Sequence, residues 1–144
     1  GVDRRFQYKG EFNGITVIDD YAHHPSEVKA TLAAAQNVKH NKIWCLFQPH
    51  TYSRAKTLLP QFGTAFYDAD KVVLADIYAA REKDTGIISS KDVVDEINKN
   101  SKNAVYGGSF EKIKEIVLKE AVAGDIVITM GAGDIYKVGE ELLK

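Results

Sequence analysis

The sequence predicts a three-layer α/β domain: a mainly parallel sheet with helices on both faces and a β-hairpin at its N-terminal end. Three observations predict it. Short apolar runs alternate along the chain with stretches of helical periodicity. Some of these runs, residues 43–47 above all, are apolar at every position, as strands covered on both faces must be. The first two extended segments are instead joined by Asn13-Gly14, which suits a tight hairpin because both residues tolerate positive φ. Strand and helix in regular alternation build parallel sheets with right-handed crossovers.

Each element has its own local reason. Residues 6–11 alternate weakly, and Ile15-Thr16-Val17-Ile18 reads as the return strand of the hairpin. Pro25 and Ser26 open a helix that places Val28, Leu32 and Ala35 on one face. Residues 43–47 form a short strand. Residues 53–67 are helical, with Pro60 and Gly63 expected to kink or split the stretch. Residues 72–77 form the next strand, and Ser89 or Ser90 caps a helix running to about Asn98. A short strand follows at residues 103–106. Ser109 then caps a helix with a stripe of Ile113, Ile116 and Val117. Gly124 breaks the chain before the strand at 126–129, and Gly131-Ala132-Gly133 turns into a final helix through Ile135, Val138 and Leu142.

The totals narrow the class. A chain of 144 residues, 44% apolar, suits a single domain with one substantial core. The balance of 19 basic against 20 acidic side chains leaves no basic excess, so no nucleic-acid partner is expected. The one cysteine, Cys45, lies inside an apolar run and reads as core filling. With no run long enough to span a membrane and no signal peptide, the expectation is a cytoplasmic protein without a membrane partner. The opening Gly1-Val2-Asp3-Arg4-Arg5-Phe6 reads as the interior of a longer chain, as in an excised domain.

In open α/β sheets ligands bind beyond the carboxyl ends of the strands. The first such segment is Asp19-Asp20-Tyr21-Ala22-His23-His24-Pro25. Its carboxylates suit sugar hydroxyls and its imidazoles suit an anion. The plainer reading is a capped turn in which Asp19 or Asp20 accepts backbone amides. Adjacent histidines leaving a strand diverge, which makes them poor co-ligands for a metal, and no metal site is expected. The second segment, residues 47–54 (Phe-Gln-Pro-His-Thr-Tyr-Ser-Arg), places His50 and Arg54 four apart, on one face if a helix begins there. That pair suits a carboxylate or phosphate, or equally a surface arginine and a turn-capping histidine. The third, Gly131-Ala132-Gly133, either admits a phosphate or is simply a tight turn; Tyr136 stands where a dinucleotide fingerprint needs its third glycine. Residues 78–84, rich in charge, form either a mobile loop near the site or a solvated surface loop. Nowhere does Gly-x-x-x-x-Gly-Lys-Ser/Thr appear, so any ATP chemistry must have its phosphates held elsewhere.

Four motifs in register carry a resemblance. Asp-Asp-Tyr-Ala-His-His-Pro-Ser-Glu at 19–27 resembles the signature of the Mur ligase C-terminal domain. Phe-Gln-Pro-His at 47–50, together with the double histidine, is similar to the L-alanine-adding branch of that family. Residues 1–6 resemble the lead-in to the domain, and Thr-Met-Gly-Ala-Gly-Asp-Ile at 129–135 its last strand-to-helix turn. The resemblance covers essentially the whole chain.

It implies a Rossmann-like third domain, residues 1–144, that closes over an N-terminal UDP-sugar domain and a central ATPase domain. It also implies an inactive isolated domain. The implied reaction belongs to peptidoglycan precursor synthesis: ATP converts the lactyl carboxylate of UDP-MurNAc to an acyl phosphate, and the amine of L-alanine displaces the phosphate. ATP and Mg2+ are implied, both held mainly by the central domain. By position, the resemblance implies nucleotide contacts for Arg5 and Asp20, the latter at the ribose. It implies substrate contacts for Tyr21, His23, His50 and Arg54, with His23 and His50 as the catalytic candidates. Thr51 departs from the pattern, standing where many members carry arginine. The alternatives are a murein tripeptide recycling ligase of the same family, a stand-alone nucleotide-binding module and a non-enzymatic interaction domain.

Overall fold

The computed structural model describes residues 4–144, so Gly1, Val2 and Asp3 of the lead-in lie outside the described residues. Twelve elements follow in order: β1 (Gln7–Phe12), β2 (Ile15–Asp20), α1 (Pro25–Ala35), β3 (Ile43–Phe47), α2 (Tyr52–Thr57), α3 (Leu59–Phe62), β4 (Lys71–Ala75), α4 (Ser90–Asn98), β5 (Ala104–Gly108), α5 (Phe110–Glu120), β6 (Ile126–Met130) and α6 (Tyr136–Leu142). The six strands form one sheet in the order β1-β2-β6-β3-β4-β5. Only β1 runs antiparallel to its neighbour. Asn13 and Gly14 take φ of 49° and 78° at the hairpin turn, the left-handed pair that the dipeptide predicts.

The expected helical stretch after β3 is split into α2 and α3 at Leu58, whose amide bonds back to Arg54 O. Pro60 lies in the first turn of α3, where its missing N–H costs nothing. Strands run one or two residues further than the apolar pattern suggested at β2, β5 and β6, because neighbours in a sheet extend each other's ladders.

Strand residues alternate between two cores. Ile43, Cys45 and Phe47 face Val28 and Leu32 of α1, Phe62 of α3, and Val93 and Ile97 of α4. Trp44 and Leu46 face Ile113 and Val117 of α5, and Val138 and Leu142 of α6. Each strand is therefore apolar throughout without being misregistered. Trp44 Nε1 donates to Asp125 Oδ2 at 3.0 Å, so the indole keeps its polar atom satisfied inside the second core. No helix among the described residues is long and apolar enough to cross a membrane.

The strand order places the site. The connection from β2 enters α1 on one face, whereas the connection from β6 enters α6 on the other. A crevice must open between adjacent strands whose connections diverge in this way. β6 lies between β2 and β3, and the registers Asp20↔Met130 and Phe47↔Met130 bring all three carboxyl ends level. The segments after β2, β3 and β6 thus meet at one rim.

Candidate functional site

Arg4 occupies the centre of that rim. Its Nε donates to Asp19 Oδ2 at 2.7 Å, while Nη1 and Nη2 donate to the carbonyls of Gly133 and Gly131 at 3.1 and 2.9 Å. The guanidinium lies 5.3 Å from the Tyr21 ring centroid and 5.0 Å from that of Tyr136. Asp19 is buried and also accepts Thr129 Oγ1 at 2.7 Å. A pair so well hydrogen-bonded ties the N-terminal segment to the β6–α6 turn.

Asp20 is buried as well, with one oxygen accepting Phe6 N at 2.8 Å and the other Ala22 N at 2.8 Å. The capped-turn reading therefore describes part of what Asp20 does. Each carboxylate oxygen keeps a further acceptor site. Arg5 is exposed, and its charge acts on Glu27.

The double histidine divides its labour. His24 caps α1, its Nδ1 accepting Ser26 N at 3.2 Å. Glu27 closes the capping box by accepting the amides of His24 and His23 at 3.0 and 3.2 Å. Burial opposes ionisation of Glu27. The His24 and His23 amides, with the His23 and Arg5 charges, still hold its pKa below the ordinary value. The His23 ring sits against Tyr21 edge-on at 5.3 Å, and its Nδ1 is 3.1 Å from Tyr21 O. With Nδ1–H as donor there, Nε2 keeps its lone pair.

His50 stands opposite, its ring 6.1 Å from that of His23 and stacked on Tyr78 at 5.4 Å with 20° between planes. Burial, then the charges of Arg54 and His23, lowers the His50 pKa, with Glu82 opposing. Its Nδ1 is buried without a hydrogen-bond partner. The lowered pKa favours a neutral ring at pH 7, and in the tautomer with Nδ1–H that buried donor is open to an approaching anion.

His23, His50, Arg54, Thr57, Leu58 and Phe62 help to line a cleft of about 520 Å³. Arg54 is exposed on its wall. Three of the four substrate-binding candidates therefore share one cleft; the fourth, Tyr21, stands behind His23 and packs on Arg4.

Two local features support that wall. Thr51, the N-cap of α2, has φ 65°, a strained conformation for a β-branched residue that costs about 1–3 kcal/mol. The residues after β4 hold it there: Thr51 N donates to Tyr78 O at 2.8 Å, and Tyr78 N donates to Pro49 O at 2.9 Å. Glu82 accepts Ser53 N at 3.0 Å and also bonds Ser53 Oγ. The charged segment after β4 is thus hydrogen-bonded onto the site.

The glycine turn is filled. Ile135 N donates to Gln48 Oε1 at 3.1 Å, and a Cβ on Gly133 would meet that oxygen at 2.6 Å and Tyr78 Cγ at 2.7 Å. The two glycines let the β6–α6 turn pack against Gln48 and Tyr78, which is the tight-turn reading rather than the phosphate one. Among the described residues, no group of three or more His, Cys, Asp or Glu could hold a metal ion.

Residues 4–133 match the family described as Mur ligase, glutamate ligase domain. The chain belongs to the Mur ligase family. UDP-N-acetylmuramate–L-alanine ligases of Lachnospira eligens and Acetivibrio thermocellus are 59% and 56% identical over all 144 residues. The chain spans 31% of the length of each of these relatives. Among solved structures, the UDP-N-acetylmuramate–alanine ligase of Thermotoga maritima superposes with a TM-score of 0.77 at 29% identity, over 99% of this chain and 30% of that one. A murein peptide ligase from Psychrobacter arcticus superposes with a TM-score of 0.79 at 24% identity, over 97% of this chain and 29% of that one, a likeness of fold alone. The expected α/β fold and the Mur ligase resemblance both stand.

Arg4, Gln48, Tyr78, Glu82 and Tyr136 were not singled out from the sequence as site residues. Gln48 stood inside a recognised motif, and Glu82 inside a charge run that offered no local signal to separate it from Arg81 or Lys83.

Proposed function

We infer that this chain works as the C-terminal domain of a three-domain, ATP-dependent ligase that joins L-alanine to UDP-N-acetylmuramate in the cytoplasm. The observation that carries the reading is the cleft between the segment after β2 and the β3–α2–α3 stretch, lined by His23, His50 and Arg54, with the two imidazoles 6.1 Å apart. Identity of 49–59% to L-alanine ligases across the whole chain supports it.

In that reaction a phosphoryl group passes from ATP to the lactyl carboxylate of UDP-N-acetylmuramate, giving ADP and an acyl phosphate. The amine of L-alanine attacks the acyl carbon, the C–O bond to phosphate breaks, and an amide and inorganic phosphate remain. Residues of this chain bind and orient the amine-bearing substrate. Arg54 takes its carboxylate, using the guanidinium fork, and the buried His50 Nδ1 is available to the same anion once protonated. His23 Nε2 is free to accept from the amine or to take its proton. Holding the amine about 3 Å from the acyl phosphate supplies the positioning that domain closure completes. Arg5 and Asp20 serve the nucleotide, Asp20 at the ribose. With the β6–α6 glycine turn filled, triphosphate and Mg2+ fall mainly to the central domain.

The full-length ligase carrying this domain should release phosphate from ATP and Mg2+ only with both UDP-N-acetylmuramate and L-alanine. Release with the L-alanyl-γ-D-glutamyl-diamino acid tripeptide but not with alanine would replace this reading with that of the recycling ligase. No release with any amine would remove the ligase reading.

A further inference from the structure

The residues just after β4 form a strap across the β3–α2 segment, and four observations describe its grip. His50 and Tyr78 form an isolated parallel bridge outside the sheet proper. The Tyr78 ring stacks on the His50 ring. The strap turns tightly on itself, with Glu82 N donating to Ala79 O at 2.9 Å and Ala80 at φ 55°. That turn returns the Glu82 carboxylate to the first turn of α2, where one oxygen takes Ser53 N at 3.0 Å and the other Ser53 Oγ.

The placement of this carboxylate calls for a reason. A carboxylate close enough to act on His50 repels an anionic substrate, so its place here calls for some use other than binding that anion. Here both oxygens are bound by Ser53, one residue from Arg54 and two from the strained Thr51. Its pKa is held down by the Ser53 side-chain and backbone bonds, so it remains ionised at neutral pH. Apart from its own bonds within the first turn of α2, the contacts holding Thr51 at positive φ come from the strap, and a β-branched residue tends to leave that region when released.

We propose that Glu82 and Tyr78 are positioning residues for the amine-bearing substrate: Glu82 sets α2 and hence Arg54, and Tyr78 sets the His50 ring. They touch neither substrate nor nucleotide. The assignment rests on the amino-acid reading of the cleft, and it predicts a split in kinetics that a merely structural role lacks.

The test uses the full-length ligase with Glu82→Ala, Glu82→Gln, Ser53→Ala and Tyr78→Ala. Glu82→Ala is expected to raise the L-alanine KM about tenfold, equivalent to about 1.4 kcal/mol, with the ATP KM within twofold of native. Glu82→Gln keeps one acceptor oxygen and should recover part of the loss. Hydrogen–deuterium exchange across residues 48–56 is read in parallel, without substrates, and should rise in Glu82→Ala. Unchanged exchange overturns the strap. Raised exchange with an unchanged L-alanine KM overturns the positioning role, as do equal rises in both KM values. If Glu82→Ala fails to fold, Glu82→Gln and Ser53→Ala carry the same comparison. Absence of alanine-dependent turnover in the native enzyme would instead sink the amino-acid reading, leaving the exchange result to judge the strap alone.

Discussion

Arg54 and Asp20 illustrate two kinds of residue at one rim. Arg54 is exposed on the cleft wall and none of the hydrogen bonds among the described residues involves its side chain, so its guanidinium is available for a ligand. Asp20 is buried and already bound to two backbone amides. Arg54→Ala should therefore raise the L-alanine KM roughly ten- to a hundredfold, the loss of a charge-assisted bond of about 1.5–3 kcal/mol, and leave stability near native. Asp20→Ala should raise the ATP KM more than the alanine KM. It should also destabilise the fold by about 1–3 kcal/mol for each amide left unpaired. Steady-state kinetics with urea unfolding of both variants reads all four quantities. A destabilised Asp20→Ala with an unchanged ATP KM would confine that residue to the turn. Cys45 carries no such question: it is wholly buried beside Met130, and burial, with the Asp20 charge, pushes its thiol far up from the ordinary range, so it is inert filling.

At the scale of elements, the β6–α6 turn connects packing to function. Gly133 has no room for a side chain because the Gln48 oxygen and the Tyr78 ring stand where Cβ would go. Neither neighbour yields easily: Gln48 is buried and holds Ile135 N, and Tyr78 is bridged to His50. Gly133→Ala should cost about 1–3 kcal/mol, the range of overpacking in a close-packed site. Because the displaced group is Tyr78, it should also loosen the His50 stack. Urea unfolding gives the first effect, and a raised L-alanine KM at unchanged ATP KM gives the second. Native stability for Gly133→Ala would show that the turn has slack. Helix ends follow simpler rules: Ser89 and Ser109 cap α4 and α5 through their hydroxyls, accepting Lys91 N and Lys112 N at 3.2 Å each.

Across the whole molecule, one side chain joins parts far apart in sequence. Arg4 reaches Asp19 on β2, two carbonyls beyond β6, and rings on either side of the crevice. Removing it leaves the Asp19 carboxylate, 2% exposed, with Thr129 Oγ1 as its remaining side-chain partner. Arg4→Met should cost about 3–5 kcal/mol, the usual consequence of breaking a buried pair from one side. Arg4→Lys should restore only part of this, because an ammonium cannot fork between a carboxylate and two carbonyls. Urea midpoints of the full-length protein check both, and a loss under about 1 kcal/mol for Arg4→Met would show that the pair is solvated in practice.

The order and type of nearly every element were legible in the sequence by itself. Apolar periodicity, Asn13-Gly14, the serine caps and Pro25 act within a few residues of themselves, so their meaning survives without the fold. The same holds for the chemical character of the strand ends, and hence for His23, His50 and Arg54 as candidates. Only the tertiary structure decided that the last strand enters between β2 and β3, and so which strand ends meet. It alone showed the His23 ring facing His50, and the Nδ1 of His24, which also lines the cleft, capping α1. It alone drew Glu82 and Tyr78 out of a charged loop and onto the site. The physical reason is range: local propensity is a property of neighbours in sequence. Partners 15 to 129 positions away, as for Arg4 with Asp19 and Gly133, are set by strand register and side-chain direction, which exist only once the sheet has formed.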